Sequence, residues 1–217
     1  MKGDVLVLQA WHRRLAGEIV AHILDRVKGA STRYAMAVAG ESGSGKSEIG
    51  QAISEELAKH GITSVVLGQD DYFVLPPKSN DQERRRNPDW LGPHVEVRLD
   101  VLENNLASAI RGHDTITKPL IDYDANTVGQ ETVDLAGIQV LIAEGTYTSL
   151  LKHVHSRVFI ARNWMDTLAD RTARNRGSEV GDPFIEQVLR TEHMIIAGHR
   201  QLADFVITKD QKLIVFA

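Results

Sequence analysis

The sequence contains no cysteine. Disulfides, thiolate metal sites and a cysteine nucleophile are therefore excluded. No apolar run approaches the roughly 18 residues of a membrane span, and residues 1–14 lack the apolar core of a signal peptide. These features lead to the expectation of a cytoplasmic protein with no membrane contact. Positive charge is also in short supply. Against 29 Asp and Glu stand 25 Lys and Arg, a formal net charge of −4, so nothing argues for a nucleic-acid partner. There is no internal repeat and no low-complexity segment. The 217 residues suit one α/β domain with a sizeable core.

Within that frame one stretch stands out, Tyr34 to Ser47. An apolar run, Met36 to Ala39, reads as a buried strand. It is followed by Gly40-Glu41-Ser42-Gly43-Ser44-Gly45-Lys46-Ser47, which fits the phosphate-binding pattern G-x-x-x-x-G-K-[ST]. Ile49, Ile53 and Leu57 then recur at helical spacing. Small residues let successive backbone N–H groups converge on an anion, and the new helix adds its own unpaired donors. Residues 40–47 are thus the expected cradle of ATP. Lys46 is placed to reach the β- and γ-phosphates and Ser47 to ligate Mg²⁺.

Further elements are legible along the chain. Residues 5–28 read as an amphipathic helix with Leu8, Trp11, Leu15, Ile19, His22 and Ile23 on one face. Thr63 to Leu67 reads as a buried strand ending in Asp70 and Asp71. Strand ends are where ligands gather in open α/β sheets, so Asp70 is a site candidate, while Asp71 is equally well a turn residue. Residues 74–95 carry four prolines and read as irregular. Their Arg84-Arg85-Arg86 has two readings, a solvated charge run or a clamp for an anionic acceptor, and Trp90 suits a lid or pocket wall. Leu99 to Arg111 is an amphipathic helix, and Thr115 to Val133 a small β appendage with a hairpin.

Ile138 to Ala143 is a buried strand ending in Glu144, a second candidate for Mg²⁺, with Gly145-Thr146-Tyr147 lining the pocket. Arg157 to Ala161 is another strand. A helix from about Trp164 carries Arg171, Arg174 and Arg176 into a Gly-containing loop, which suits a lid over ATP. Phe184 to Leu202 reads as one long helix, and Ala203 to Thr208 and Lys212 to Phe216 as the last strands. Alternating strands and helices imply a three-layer α/β/α P-loop NTPase with a mainly parallel sheet, a helical lid and a small β appendage. One domain spans 1–217, with the N-terminal helix in 1–30, an acceptor-side insertion at 74–135 and the lid at 171–183. Thr208-Lys209-Asp210 misses the guanine-reading spacing of GTPases.

These residues resemble the uridine kinase and phosphoribulokinase-like branch of P-loop kinases. The resemblance rests on the P-loop, Gln69-Asp70-Asp71-Tyr72-Phe73, Asn87-Pro88-Asp89, Pro119 with Asp122-Tyr123, Ala143-Glu144-Gly145 and the spacing of Arg171 and Arg174. It implies an ATP- and Mg²⁺-dependent kinase in which Asp70 is the general base, Ser47, Asp70 and Glu144 place the metal, and Arg171, Arg174 and Arg176 serve the phosphates. Tyr72, Arg86, Asp122, Tyr123, Asn126 and Tyr147 would face the acceptor. Arg85-Arg86, Ile121 and Asn126 depart from the positions that read a nucleoside, so uridine is not implied. A kinase for an acidic or phosphorylated acceptor and an ATP-binding regulatory switch stand as alternatives, and a homo-oligomer is compatible with either.

Overall fold

A computed structural model describes residues 6–174 and 181–216, apart from the side chains at 170, 173 and 174. Six strands form the main sheet. They are β1 (Tyr34–Gly40), β2 (Ser64–Gly68), β5 (Val140–Glu144), β6 (Ser156–Ala161), β7 (Phe205–Thr208) and β8 (Leu213–Val215), in the order β2-β5-β1-β6-β7-β8. All pairings are parallel except β7 with β8. A parallel sheet must be covered on both faces, and its central strands read as continuous apolar runs. Every residue of β1 and β5 is accordingly buried. β2 is an edge strand in which only Leu67 is fully buried, so it is less enclosed than its apolar sequence suggests.

Alternate residues of the strands feed two cores. Met36, Val38, Ile142, Val158 and Ile160 point to one face, where α1 (Ala10–Lys28) and α2 (Lys46–Lys59) pack through Leu15, Ile19, Ile23, Ile49 and Ile53. Each such side chain contributes about 1.5–3 kcal/mol by its burial. Ala35, Leu141 and Ala143 point to the other face, against α4 (Leu99–Ile110) through Leu102 and Leu106. β3 (Thr115–Asp122) and β4 (Thr127–Asp134) pair antiparallel as a separate hairpin. Among the described residues no helix is long and apolar enough to cross a membrane.

Several elements differ from their sequence reading. The first helix begins at Ala10, so Leu8 lies before it; His12 joins its buried face and His22 is exposed. Residues 74–95 are not irregular throughout. They hold α3 (Pro77–Arg86) and a short 3-10 turn, Pro88–Trp90. Pro77 and Pro88 open these elements instead of breaking them, because the first helical position needs no N–H donor. α5 (Leu168–Arg174) starts later than expected. The Asn163 carboxamide accepts from the N–H groups of Met165 and Asp166 and holds a turn there first. α6 (Pro183–Ile196) gives way to a 3-10 segment at Ala197. Arg176 and most of the expected lid loop lie outside the described residues, as does the Arg174 side chain.

Candidate active site

The phosphate-binding pattern forms the junction of β1 and α2. Gly45 is the N-cap of α2, and Gly43 adopts φ +78°, a left-handed conformation open to glycine. A Cβ on Gly43 would stand 2.9 Å from the Arg171 side chain. The loop is therefore walled by α5 on that side. Lys46 Nζ folds back to the Glu41 carbonyl at 2.9 Å. Among the described residues the buried Ser44 hydroxyl has no hydrogen-bond partner.

α6 holds the front of this loop. Glu192 accepts from the Ser42 N–H at 2.8 Å and from its hydroxyl at 3.1 Å. The Glu41 carboxylate accepts from the Trp164 N–H and meets His193 Nδ1, both at 2.6 Å. The Glu41 side chain is thus a brace between three elements and not a phosphate contact. Burial holds the Glu192 carboxyl above its ordinary range, offset in part by the Lys46 charge and the Ser42 N–H.

A cavity of about 280 Å³ runs from the loop toward the β2 edge. Ser42, Gly43, Lys46, Ser47 and Arg171 line one end, and Asp70 and Glu144 the middle. The parallel register sets Gly68 of β2 opposite Glu144 of β5, so both strands deliver a carboxylate at their carboxyl ends. Burial first, then the Asp70 charge, pushes the Glu144 carboxyl up to about 7, while Lys46 and a Ser47 hydrogen bond act the other way. Two crowded carboxylates and a hydroxyl fit a hard divalent cation. Among the described residues no three Asp, Glu, His or Cys side chains converge. A cation here would complete its shell with ligand or water oxygens, as Mg²⁺ does.

The far end is built by Phe73, Asn80, Asp81, Arg84, Glu96, Tyr123 and Tyr147. Glu96 is fully buried and accepts from Arg84 Nε at 2.7 Å, Asn80 Nδ2 at 3.1 Å and the Gly92 N–H at 3.2 Å. Trp90 donates to Asn80 at 2.7 Å and so fixes it from behind.

Several residues expected at the acceptor end lie elsewhere. Tyr72 is fully buried in the core, where it accepts from Asn105 at 3.0 Å, and the neighbouring Phe73 reaches the cavity. Arg86 is exposed and pairs with Glu83 at 2.6 Å on its own helix. Asp122 accepts from the Ala125 N–H at 2.9 Å and shapes the hairpin turn. Asn126 ties that turn to α3 through the Lys78 N–H at 2.9 Å and Ser79 at 3.1 Å. Only Tyr123 and Tyr147 of that set line the cavity. The residues missed are Asn80, Asp81, Glu96 and Glu192. Glu192 had a signal: it falls on the apolar face of α6, three residues after Leu189.

Comparisons with known proteins agree with this architecture. The sequence profile of the Phosphoribulokinase / Uridine kinase family matches residues 35–166. The bifunctional alpha-galactosidase/sucrose kinase AgaSK of Mediterraneibacter gnavus is 30% identical over 192 residues, 83% of this chain but only 20% of that protein. The uridine kinase of Latilactobacillus sakei subsp. sakei (strain 23K) is 26% identical over 182 residues, 78% of this chain and 82% of the relative. In fold, D-glycerate 3-kinase from Cryptococcus neoformans superimposes with a TM-score of 0.64 at 15% identity, covering 96% of this chain and 100% of that one. On the family match, which takes in the P-loop, the Asp70 turn and the Glu144 strand, this chain belongs to the phosphoribulokinase / uridine kinase family.

Proposed function

We propose that this protein transfers the γ-phosphoryl group of ATP to a hydroxyl of a small, uncharged, hydroxyl-rich metabolite. As a member of its family it is a small-molecule kinase with a hydroxyl acceptor. The observation that carries the fuller reading is that Lys46, Ser47, Asp70 and Glu144 open into one cavity whose far end is lined by further polar side chains. Phosphoryl transfer is mostly positioning and charge stabilisation, and this layout supplies both.

In this reading Lys46 leaves the Glu41 carbonyl for phosphate oxygens, and the loop amides hold the β-phosphate. Ser47, Asp70 and Glu144 would hold Mg²⁺, which would supply positive charge against the phosphates. Asp70, exposed to the cavity, orients the acceptor hydroxyl and takes its proton. Arg171 adds a buried cation beside Gly43. Residues 74–135 are the acceptor side and 171–183 the lid.

The preference for an uncharged acceptor follows from where the arginines of α3 are committed. Arg84 pairs with Glu96, Arg85 with Asp81 and Asp182, and Arg86 with Glu83. Asp70 and Asp81 add negative charge to the same chamber. An acidic acceptor would meet that charge with every one of these cations already paired. Hydroxyl groups would instead find carboxylates, a carboxamide and tyrosines. The sucrose kinase activity in the name of one relative is compatible with this reading.

The test is ADP release from Mg·ATP with sugars, polyols, nucleosides, glycerate, pantothenate and sugar phosphates, with Lys46→Ala as the blank. Strong stimulation by a neutral acceptor supports the proposal. Stimulation confined to acids or phosphates overturns the acceptor class. A slow rate that no acceptor changes favours the regulatory switch.

A further inference from the structure

An in-line transfer places the acceptor on one side of the phosphates and the rest of the nucleotide on the other. Here the acceptor chamber lies toward β2 and β5, past Asp70 and Glu144. The nucleoside must therefore leave the phosphate loop toward β6 and β7, which flank β1 on its other side. The segment after β6 starts with Arg162, and the turn after β7 contains Gln211.

A flat ring borders this region, and it comes from the N-terminal helix. A Cβ on Gly45 would stand 3.4 Å from the ring of Trp11 and 3.3 Å from His12 Nε2. The Arg162 guanidinium lies over the Trp11 ring, 5.9 Å from its centre. Arg14, one turn further along α1, donates to the Gln211 carbonyl at 2.5 Å and moors this end of the helix to the β7–β8 turn. The buried His12 ring backs Trp11 at 3.7 Å, and the Trp11 indole N–H is held by Gln9 at 2.7 Å. Trp11 itself is only half-buried. The ring is thus fixed in place, partly open, and set between the phosphate loop and the two segments that border the nucleoside's exit.

We infer that Trp11 is the platform on which the base of the nucleotide stacks, at the ring that the Arg162 guanidinium overhangs. The inference rests on the kinase reading above and adds to it a residue outside the 35–166 stretch that matches the family. Stacking on a π-face is tolerant of base identity. The platform should therefore strengthen nucleotide binding without choosing strongly between ATP and GTP.

The experiment compares calorimetric affinities for Mg·ATP and for inorganic tripolyphosphate in the full chain, in Trp11→Ala and in Trp11→Phe. Tripolyphosphate offers the loop its phosphates but no base. The expected result is about a tenfold loss of ATP affinity in Trp11→Ala, the order of one stacked base, with tripolyphosphate unchanged. Trp11→Phe should recover most of the loss, and GTP should follow ATP. Equal weakening of both ligands would mean that the ring merely props Gly45, and the inference would be wrong. So would no change in either. A wild-type chain that binds neither ligand would sink the phosphate-loop reading itself, and this inference with it.

Discussion

Asp70 and Asp71 are adjacent in sequence and stand in opposite surroundings. Asp70 is exposed to the cavity, whereas Asp71 is buried, bonded to Lys118 Nζ at 2.7 Å and to the Ile121 N–H at 3.1 Å. The 3-10 turn Gln69–Tyr72 at the end of β2 separates them, since each residue of such a turn rotates the side chain by about a third of a circle. Asp70→Asn should lower turnover by about 10²–10⁴, the usual weight of a general base, with metal-free ATP affinity and melting temperature little changed. Asp71→Ala should do the reverse. It leaves the buried Lys118 with the half-exposed Glu131 at 3.0 Å and the Pro119 carbonyl at 3.2 Å, at a cost of about 3 kcal/mol in urea unfolding. An Asp70→Asn variant that turns over at the wild-type rate would remove Asp70 from the chemistry.

The Arg84–Glu96 pair predicts a stability effect and a specificity effect together. Arg84→Ala leaves the fully buried Glu96 with only neutral donors, so unfolding free energy should fall by about 2–4 kcal/mol. Replacing both partners with apolar residues, Arg84→Met with Glu96→Leu, should restore much of it. Neither change should alter rates with acidic acceptors more than with neutral ones, because the paired Arg84 is not reserved for an anion. Selective loss of an acidic acceptor in Arg84→Ala, with that acceptor good in the wild type, would reinstate the anion clamp.

Glu192 gives a pH-dependent prediction. Burial raises its carboxyl above the ordinary value of 4.5, with Lys46, Arg84 and the Ser42 N–H acting against the shift. A carboxylate raised on folding favours the fold below its unfolded pKa and loses that contribution as pH rises through the folded value. Glu192→Gln carries no such charge and keeps an acceptor for the Ser42 N–H. Its stability relative to the wild type should therefore improve from pH 5 to pH 8 in thermal melts. Glu192→Ala leaves the Ser42 N–H without its partner and should weaken ATP binding by about tenfold. A pH-independent difference between Glu192→Gln and the wild type would mean that Glu192 is not the group titrating.

How far the site could be read from the sequence depended on whether its residues lie close together in the chain. The loop from Gly40 to Ser47 and the ends of β2 and β5 each fill a local pattern, strand then turn then ligand, and the apolar runs announced the parallel sheet. The acceptor chamber has no such pattern. Asn80 and Arg84 of α3, Glu96 and Tyr147 come from three separate segments, and only the packing of α3 over the sheet edge brings them together. Prolines at 76 and 77 hid α3 because a proline inside a helix and a proline that starts one look alike in a composition count. Tyr72 and Phe73 show the same limit at single-residue scale. Both suit a pocket wall, and only the 3-10 turn decides which faces the core.

Gly145 sets the separation between the two carboxylate-bearing strand ends. A Cβ there would lie 2.2 Å from the Gln69 Cβ and 2.8 Å from its side-chain oxygen, which accepts from the Tyr147 N–H at 2.7 Å. No rotamer change relieves contact with a Cβ, so backbone must move. The shift would push the Gln69–Tyr72 turn away from β5 and take Asp70 with it. Gly145→Ala should therefore destabilise the fold by about 1–3 kcal/mol, as overpacking does. It should also reduce turnover by about 10²-fold, the scale of a 1 Å misplacement, without touching any group that contacts ATP. Chemical denaturation and steady-state rates measure the two effects separately. Loss of stability with full turnover would mean that the Asp70–Glu144 spacing tolerates the shift, and that the carboxylates are positioned by their ligands instead of by this close approach.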